Sequence, residues 1–128
     1  METSKIVGRE QLREWFGSDA TFHFHDAEII ELQLKTGRPS HLSIHAWTLS
    51  GETDKHGIHL HDRDAVVTLV FDEVLELDLI GFSPQNVISR LDFDERADGV
   101  RVEIIPSYGL GGTIDVARVS VDIRPYQP

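Results

Sequence analysis

Two short runs in this chain carry the residue types of a metal site: His23-Phe24-His25-Asp26 and Ile58-His59-Leu60-His61-Asp62. On a strand, residues i and i+2 project to one side, so each run could offer two imidazoles and a carboxylate to a divalent cation. The candidate ligand set is His23, His25, Asp26, His59, His61 and Asp62. Surface histidines, with one buried as a hydrogen-bonding group, account for the same pattern without a metal, and the expectation is no cofactor.

Other chemistry finds less footing. No cysteine is present among the 128 residues, which removes disulfides, thiolate ligands and a cysteine nucleophile. No Gly-x-Ser-x-Gly elbow occurs for serine catalysis. Gly109-Leu110-Gly111-Gly112 precedes a β-like run and lacks a following Lys-Ser/Thr, so it reads as a turn and not as a phosphate cradle. The chain therefore reads as a binding protein and not as an enzyme, with a small metal-binding protein or metal-dependent enzyme as the alternative.

The charge narrows the partner. Twenty-two acidic residues against 12 basic ones give a net charge of −10, which opposes nucleic acid and anionic lipid and favours a basic protein. It also serves plain solubility. Asp92, Asp94, Glu95 and Asp98 crowd near one expected turn; they read as a solvated loop or as an acidic docking patch. No stretch is long and apolar enough for a membrane-spanning helix, no basic and apolar leader opens the chain, and cysteine is absent, so a cytoplasmic location is expected.

The elements that must hold these residues are mostly strands. Leu12, Trp15 and Phe16 fall at i, i+3, i+4 before Gly17, which predicts a short amphipathic helix packed on the sheet. From Ile30 the period becomes two. Ile30, Leu32 and Leu34 alternate with polar residues up to a turn at 36–39, and Leu42, Ile44 and Ala46 alternate with Ser43, His45 and Trp47 as the second arm of a hairpin. Residues 50–64, with two glycines and three histidines, read as the longest loop. Residues 65–71 are apolar on both faces and suit a central strand.

Leu75, Leu77 and Leu79 alternate with Glu76 and Asp78, and 87–93 and 100–104 form a second hairpin around a turn at 94–99. In the last run, Ile114 and Val116 have the opposite parity to Val119, Val121 and Ile123, which predicts a bulge near Ala117. The expected fold is a single α+β domain over 1–128. It has a mainly antiparallel sheet of six or seven strands, curled or in two layers, one short N-terminal helix, and ends that fray at about 1–5 and 125–128.

Two segments carry a resemblance. Phe24-His25-Asp26-Ala27-Glu28-Ile29-Ile30-Glu31-Leu32, preceded by Trp15 and Phe16, resembles the opening signature of the bacterial immunity protein 50 family. The segment Val70-Phe71-Asp72-Glu73-Val74-Leu75-Glu76-Leu77, with Gly81-Phe82-Ser83-Pro84-Gln85-Asn86-Val87-Ile88 after it, is similar to that family's middle region. The resemblance spans roughly residues 15–123. It implies neutralisation of a bacterial toxin by protein contact, with no catalytic residue to carry over; the net charge adds that the toxin domain is basic, and sheet edges that can pair between copies leave a monomer or a homodimer. The histidine-rich stretch at 56–61 has no place in the family pattern.

Within the matched segments, His25, Asp26, Glu28, Gln85 and Asn86 have two readings. Short polar residues brace turns by bonding to backbone amides. Exposed, they would form a patch that reads the partner, joined by Asp92, Asp94, Glu95 and Asp98.

Overall fold

The computed structural model describes residues 5–16, 24–53, 55–56 and 59–126, with the backbone alone at 48–53 and 59–63. Along the chain come β1 (Ile6–Val7), α1 (Glu10–Phe16), β2 (Glu28–Gln33), β3 (Ser40–Thr53), β4 (His59–Ile80), β5 (Val87–Arg96), β6 (Gly99–Tyr108) and β7 (Gly111–Pro125). The sheet runs β1-β7-β4-β3-β2-β5-β6, and β6 also pairs with β7. The sheet therefore curls into a ring of six antiparallel strands, with β1 added in parallel to the free stretch of β7 at Val119 and Ser120. Closure removes most sheet edges, which otherwise invite pairing with other chains.

Strand alternation fills the interior. Leu42, Ile44 and Ala46 of β3 and Ala65, Val67, Leu69 and Phe71 of β4 are fully buried, while Ser43, His45 and Trp47 face outward. Residues 65–71 are central, held between β3 and β7. α1 adds Leu12 and Phe16 to the core and packs Trp15 half-buried against it. The Gln11 side-chain amide donates to the carbonyl of Val121 at 3.1 Å, which anchors the helix to β7.

The bulge expected near Ala117 is not found, because the β4–β7 register runs unbroken from Arg118 to Val116; the parity does change there, with Val116 and Val119 both buried three residues apart. Across the pairing, β4 makes the same change between Phe71 and Val74, where Glu73 adopts φ +58°. A second irregularity at 74/76 sets Leu75 out of register. These two steps bend one continuous strand, where the sequence suggested two.

Three expectations need correction. Residues 50–64 are not one long loop: β3 runs to Thr53 and β4 starts at His59, and the two pair antiparallel, with Leu49 opposite His61 and Thr53 opposite His59. The turn expected over 94–99 shrinks to Ala97 and Asp98, because strand pairing continues to Arg96 opposite Gly99. Gly99 lies so close to the carbonyl of Val116 that a Cβ has no room, so this tight join of β6 to β7 requires glycine. Lys5 and Pro125, placed at loose ends by composition, are tied down. The carbonyl of Lys5 accepts from Val119 N at 2.8 Å, and Pro125 pairs with Ala65. Beyond it, Tyr126 N donates to Asp64 O at 3.2 Å. Residues 1–4, 127 and 128 lie outside the described residues.

Candidate functional site

The two segments that carry the family resemblance meet in space. Asp26 N donates to Ile88 O at 2.8 Å, Ile88 N to Ala27 O at 2.8 Å and Ile29 N to Asn86 O at 2.9 Å, with Glu28 opposite Val87. This short seam joins β2 to β5 and completes the ring of strands. Its turn is tight: Ala27 N donates back to Phe24 O at 3.0 Å, and Phe24 and Asp26 both take positive φ, +63° and +65°. Aspartate tolerates that conformation; phenylalanine seldom does. Here the Phe24 ring is 1% exposed, and its burial offsets the backbone cost.

Around the seam the polar residues separate by role. His25 Nδ1 lies 3.1 Å from Ser89 O, so the proton sits on Nδ1 and the ring donates. Its Nε2 lies 3.6 Å from Asp26 Oδ2, and both side chains are exposed, as is Glu28. Asn86 is buried. Its Oδ1 accepts from Ser83 N at 3.1 Å and from Leu110 N at 2.8 Å, and its Nδ2 donates to Ser83 O at 2.8 Å. Gln85 is exposed, and its carbonyl accepts from Ser83 Oγ at 2.7 Å. Asn86 thus braces the 81–86 and 109–110 connections from inside, while His25, Asp26, Glu28 and Gln85 reach the surface.

Beside the seam lies an open groove of about 440 Å³ lined by Glu28, Ile30, His45, Phe82, Pro84 and Tyr126, with Ser83 and Asn86 at its base. His45 stacks on Tyr126, centroids 3.8 Å apart at 9°, and meets Trp47 edge-on at 4.9 Å. Its Nε2 lies 3.0 Å from Asp64 Oδ2. Aromatic faces with carboxylates nearby suit a cationic side chain. The outward direction of His45 and Trp47 was legible in their alternation with buried residues. Tyr126 was not, because the strand that delivers it ends in a proline-rich stretch.

The second feature is electrostatic. Register aligns Asp78, Thr113, Glu103 and Asp92 in one row across β4, β7, β6 and β5, and Glu76, Asp115, Arg101 and Asp94 in the next. Six carboxylates thus share one outer face. Arg101 forks onto Asp115 at 2.7 and 2.9 Å, Arg90 meets Asp92 at 2.8 Å and Arg96 meets Asp94 at 3.1 Å. Asp98 adjoins the face, lining a shallow depression of about 270 Å³ with Glu76 and Asp115.

The acidic cluster expected at one turn is therefore divided by strand alternation. Asp92 and Asp94 point outward. Glu95 has the opposite parity, pairs with Val100, and its carboxylate accepts from Lys5 N at 3.2 Å. Glu76, Asp78, Glu103 and Asp115 join the face from other strands, and sequence reasoning missed them. The alternation of Glu76 and Asp78 with leucines was the available signal.

The hydrogen bonds from Arg101 hold the Asp115 carboxyl below the usual carboxylate range, against a smaller opposing effect of burial, and the pair raises Arg101 in turn. A carboxylate depressed in the folded state contributes stability above its unfolded pKa of about 3.9, and that contribution is lost as pH falls through the folded value. Asp115→Asn should therefore flatten the fall of stability on acidification below about pH 4. Denaturant titrations at several pH values measure it; parallel curves for both proteins would refute the coupling.

The metal ligand set is not assembled by what is described. His25 and Asp26 adjoin, but His23 and the side chains of His59, His61 and Asp62 lie outside the described residues. Among the described side chains, no three His, Asp or Glu gather as a metal group. α1 is too short to cross a membrane. Compared with protein-family models, curated proteins and solved structures, the chain matches none.

Proposed function

We propose that this chain is a binding protein that neutralises a basic protein partner, in the manner of the toxin-immunity proteins its two seam segments resemble, with no catalysis of its own. The observation that carries the reading is the pair of rows that set Glu76, Asp78, Asp92, Asp94, Glu103 and Asp115 on one outer face. Arg101 is the one cation within those rows, with Arg90 and Arg96 alongside. A toxin that cleaves nucleic acid must be cationic where it holds phosphate, and such a surface complements this face. His25, Asp26, Glu28 and Gln85 flank the seam as further contact residues, and a cytoplasmic setting belongs to the same reading.

Steering of this kind acts mainly on the association rate. With a basic toxin domain encoded beside this chain's gene, stopped-flow association should slow by about tenfold or more as ionic strength rises from 0.01 to 0.15 M, since the Debye length shrinks from roughly 30 to about 8 Å. Asp92→Lys, Asp94→Lys and Glu103→Lys together should slow association at low salt and leave dissociation within about threefold. An association rate indifferent to both salt and these reversals would sink the proposal.

A further inference from the structure

The second half of β4 has one side of its backbone without a strand. β3 pairs with β4 only as far as Ser40 opposite Phe71, whereas β7 follows β4 on the other side to Ile80. From Val74 to Ile80, the edge on which β3 would continue has no strand partner among the described residues. The chain instead reverses through the turn at 34–40, closed by Lys35 N donating to Ser40 Oγ at 2.9 Å. Between that turn and β4 lies a groove of about 660 Å³, lined by Leu34, Val74 and Leu77 with Lys35, Asp72 and Glu73.

The edge carries different chemistry on its two faces. Leu77 is paired with the fully buried Ile114 and so belongs to the inner face, yet it is 40% exposed, and Leu34 across the groove is 47% exposed. Glu76 and Asp78 stand on the outer face of the same edge. An added strand would need apolar side chains on one side and cationic ones on the other, since cross-strand neighbours on one face interact directly. A second copy of this chain fits badly: antiparallel self-pairing centred on Leu77 sets Glu76 opposite the other copy's Asp78, like charge against like.

We infer that residues 74–80 are a docking edge for a β-strand of the basic partner, one that alternates apolar residues over Leu34 and Leu77 with Lys or Arg facing Glu76 and Asp78. Main-chain hydrogen bonds supply the attraction, and the alternation selects the sequence. This rests on the binding function proposed above and specifies the partner segment it takes. The positive φ at Glu73 and the register shift at Leu75 fall where pairing with β3 has ended and this edge begins.

The test uses short synthetic peptides, observed by backbone NMR and amide hydrogen exchange on the whole protein. A peptide alternating valine with lysine should protect the amides within 74–80 that point away from β7. A peptide of the same composition with its valines and lysines in separate blocks should not. Glu76→Lys with Asp78→Lys should weaken the valine-lysine peptide by about tenfold, two cross-strand charge pairs being reversed, and should gain binding of a valine-glutamate peptide. Glu76→Gln with Asp78→Gln serves as the neutral comparison and should fall between.

Equal binding of the blocked peptide, or affinity unmoved by the lysine variant, overturns strand addition. So does protection, in the free protein, of the amides of 74–80 that point away from β7, which would mean another segment of the chain or a second copy already sits there. If peptide pairing fails while association with the basic toxin keeps its salt dependence, the docking edge is wrong and the acidic-face function stands. If the edge pairs as described and association ignores salt, the reverse holds.

Discussion

Phe24→Ala lowers the free energy of unfolding by about 3–5 kcal/mol, the usual range for truncating a buried phenylalanine. The ring is 1% exposed and belongs to the core cluster, directly under the seam that closes the ring of strands. The backbone adds nothing to that difference but separates alanine from glycine. At φ +63° any residue with a Cβ is disfavoured by about 1–2 kcal/mol, and alanine keeps that cost while losing the burial that offsets it. Phe24→Gly should consequently be no worse than Phe24→Ala, an inversion of the usual order, because glycine takes positive φ freely. His25→Ala, next in sequence but exposed, should stay within about 0.5 kcal/mol. Urea unfolding at constant m-value measures all three. A shift below about 1 kcal/mol for Phe24→Ala would mean that the seam does not depend on this ring.

The same contrast shows what was readable in the sequence. Alternation identified the inward residues of β3 and β4 and the change of parity in the last strand, because those signals are local to one strand, but not that β4 changes parity opposite it, so that no bulge is needed at Ala117. The hairpin across 48–62 was misread because glycine and histidine mimic a loop in a local window, while the pairing of Leu49 with His61 is decided across strands. The acidic face was half visible. Asp92 and Asp94 were singled out by crowding, but crowding ignores parity, so Glu95 was grouped with them although it alternates away. Glu103 and Asp115 needed the β6–β7 register, which closes the ring and has no local signature.

Asn86 marks the other limit of sequence reasoning, since turn bracing and partner contact use the same residue type and only burial separates them. Asn86→Ala should cost about 2–4 kcal/mol, from roughly 1–3 kcal/mol for the buried Leu110 amide left without an acceptor and about 1 kcal/mol for the bonds to Ser83. Leu110 is itself 2% exposed, so water cannot easily replace the lost carbonyl. Gln85→Ala, which removes an exposed side chain and leaves the backbone carbonyl that Ser83 uses, should change stability by less than about 0.5 kcal/mol. The two substitutions therefore separate bracing from binding. Thermal and urea unfolding read the first property, and association with the basic partner reads the second. A destabilised Asn86→Ala whose association rate, measured where it is still folded, equals that of the parent assigns Asn86 to the brace. Unchanged stability with lost association would instead put its amide at the contact, and the buried hydrogen bonds to Ser83 and Leu110 could then not be what holds the turn.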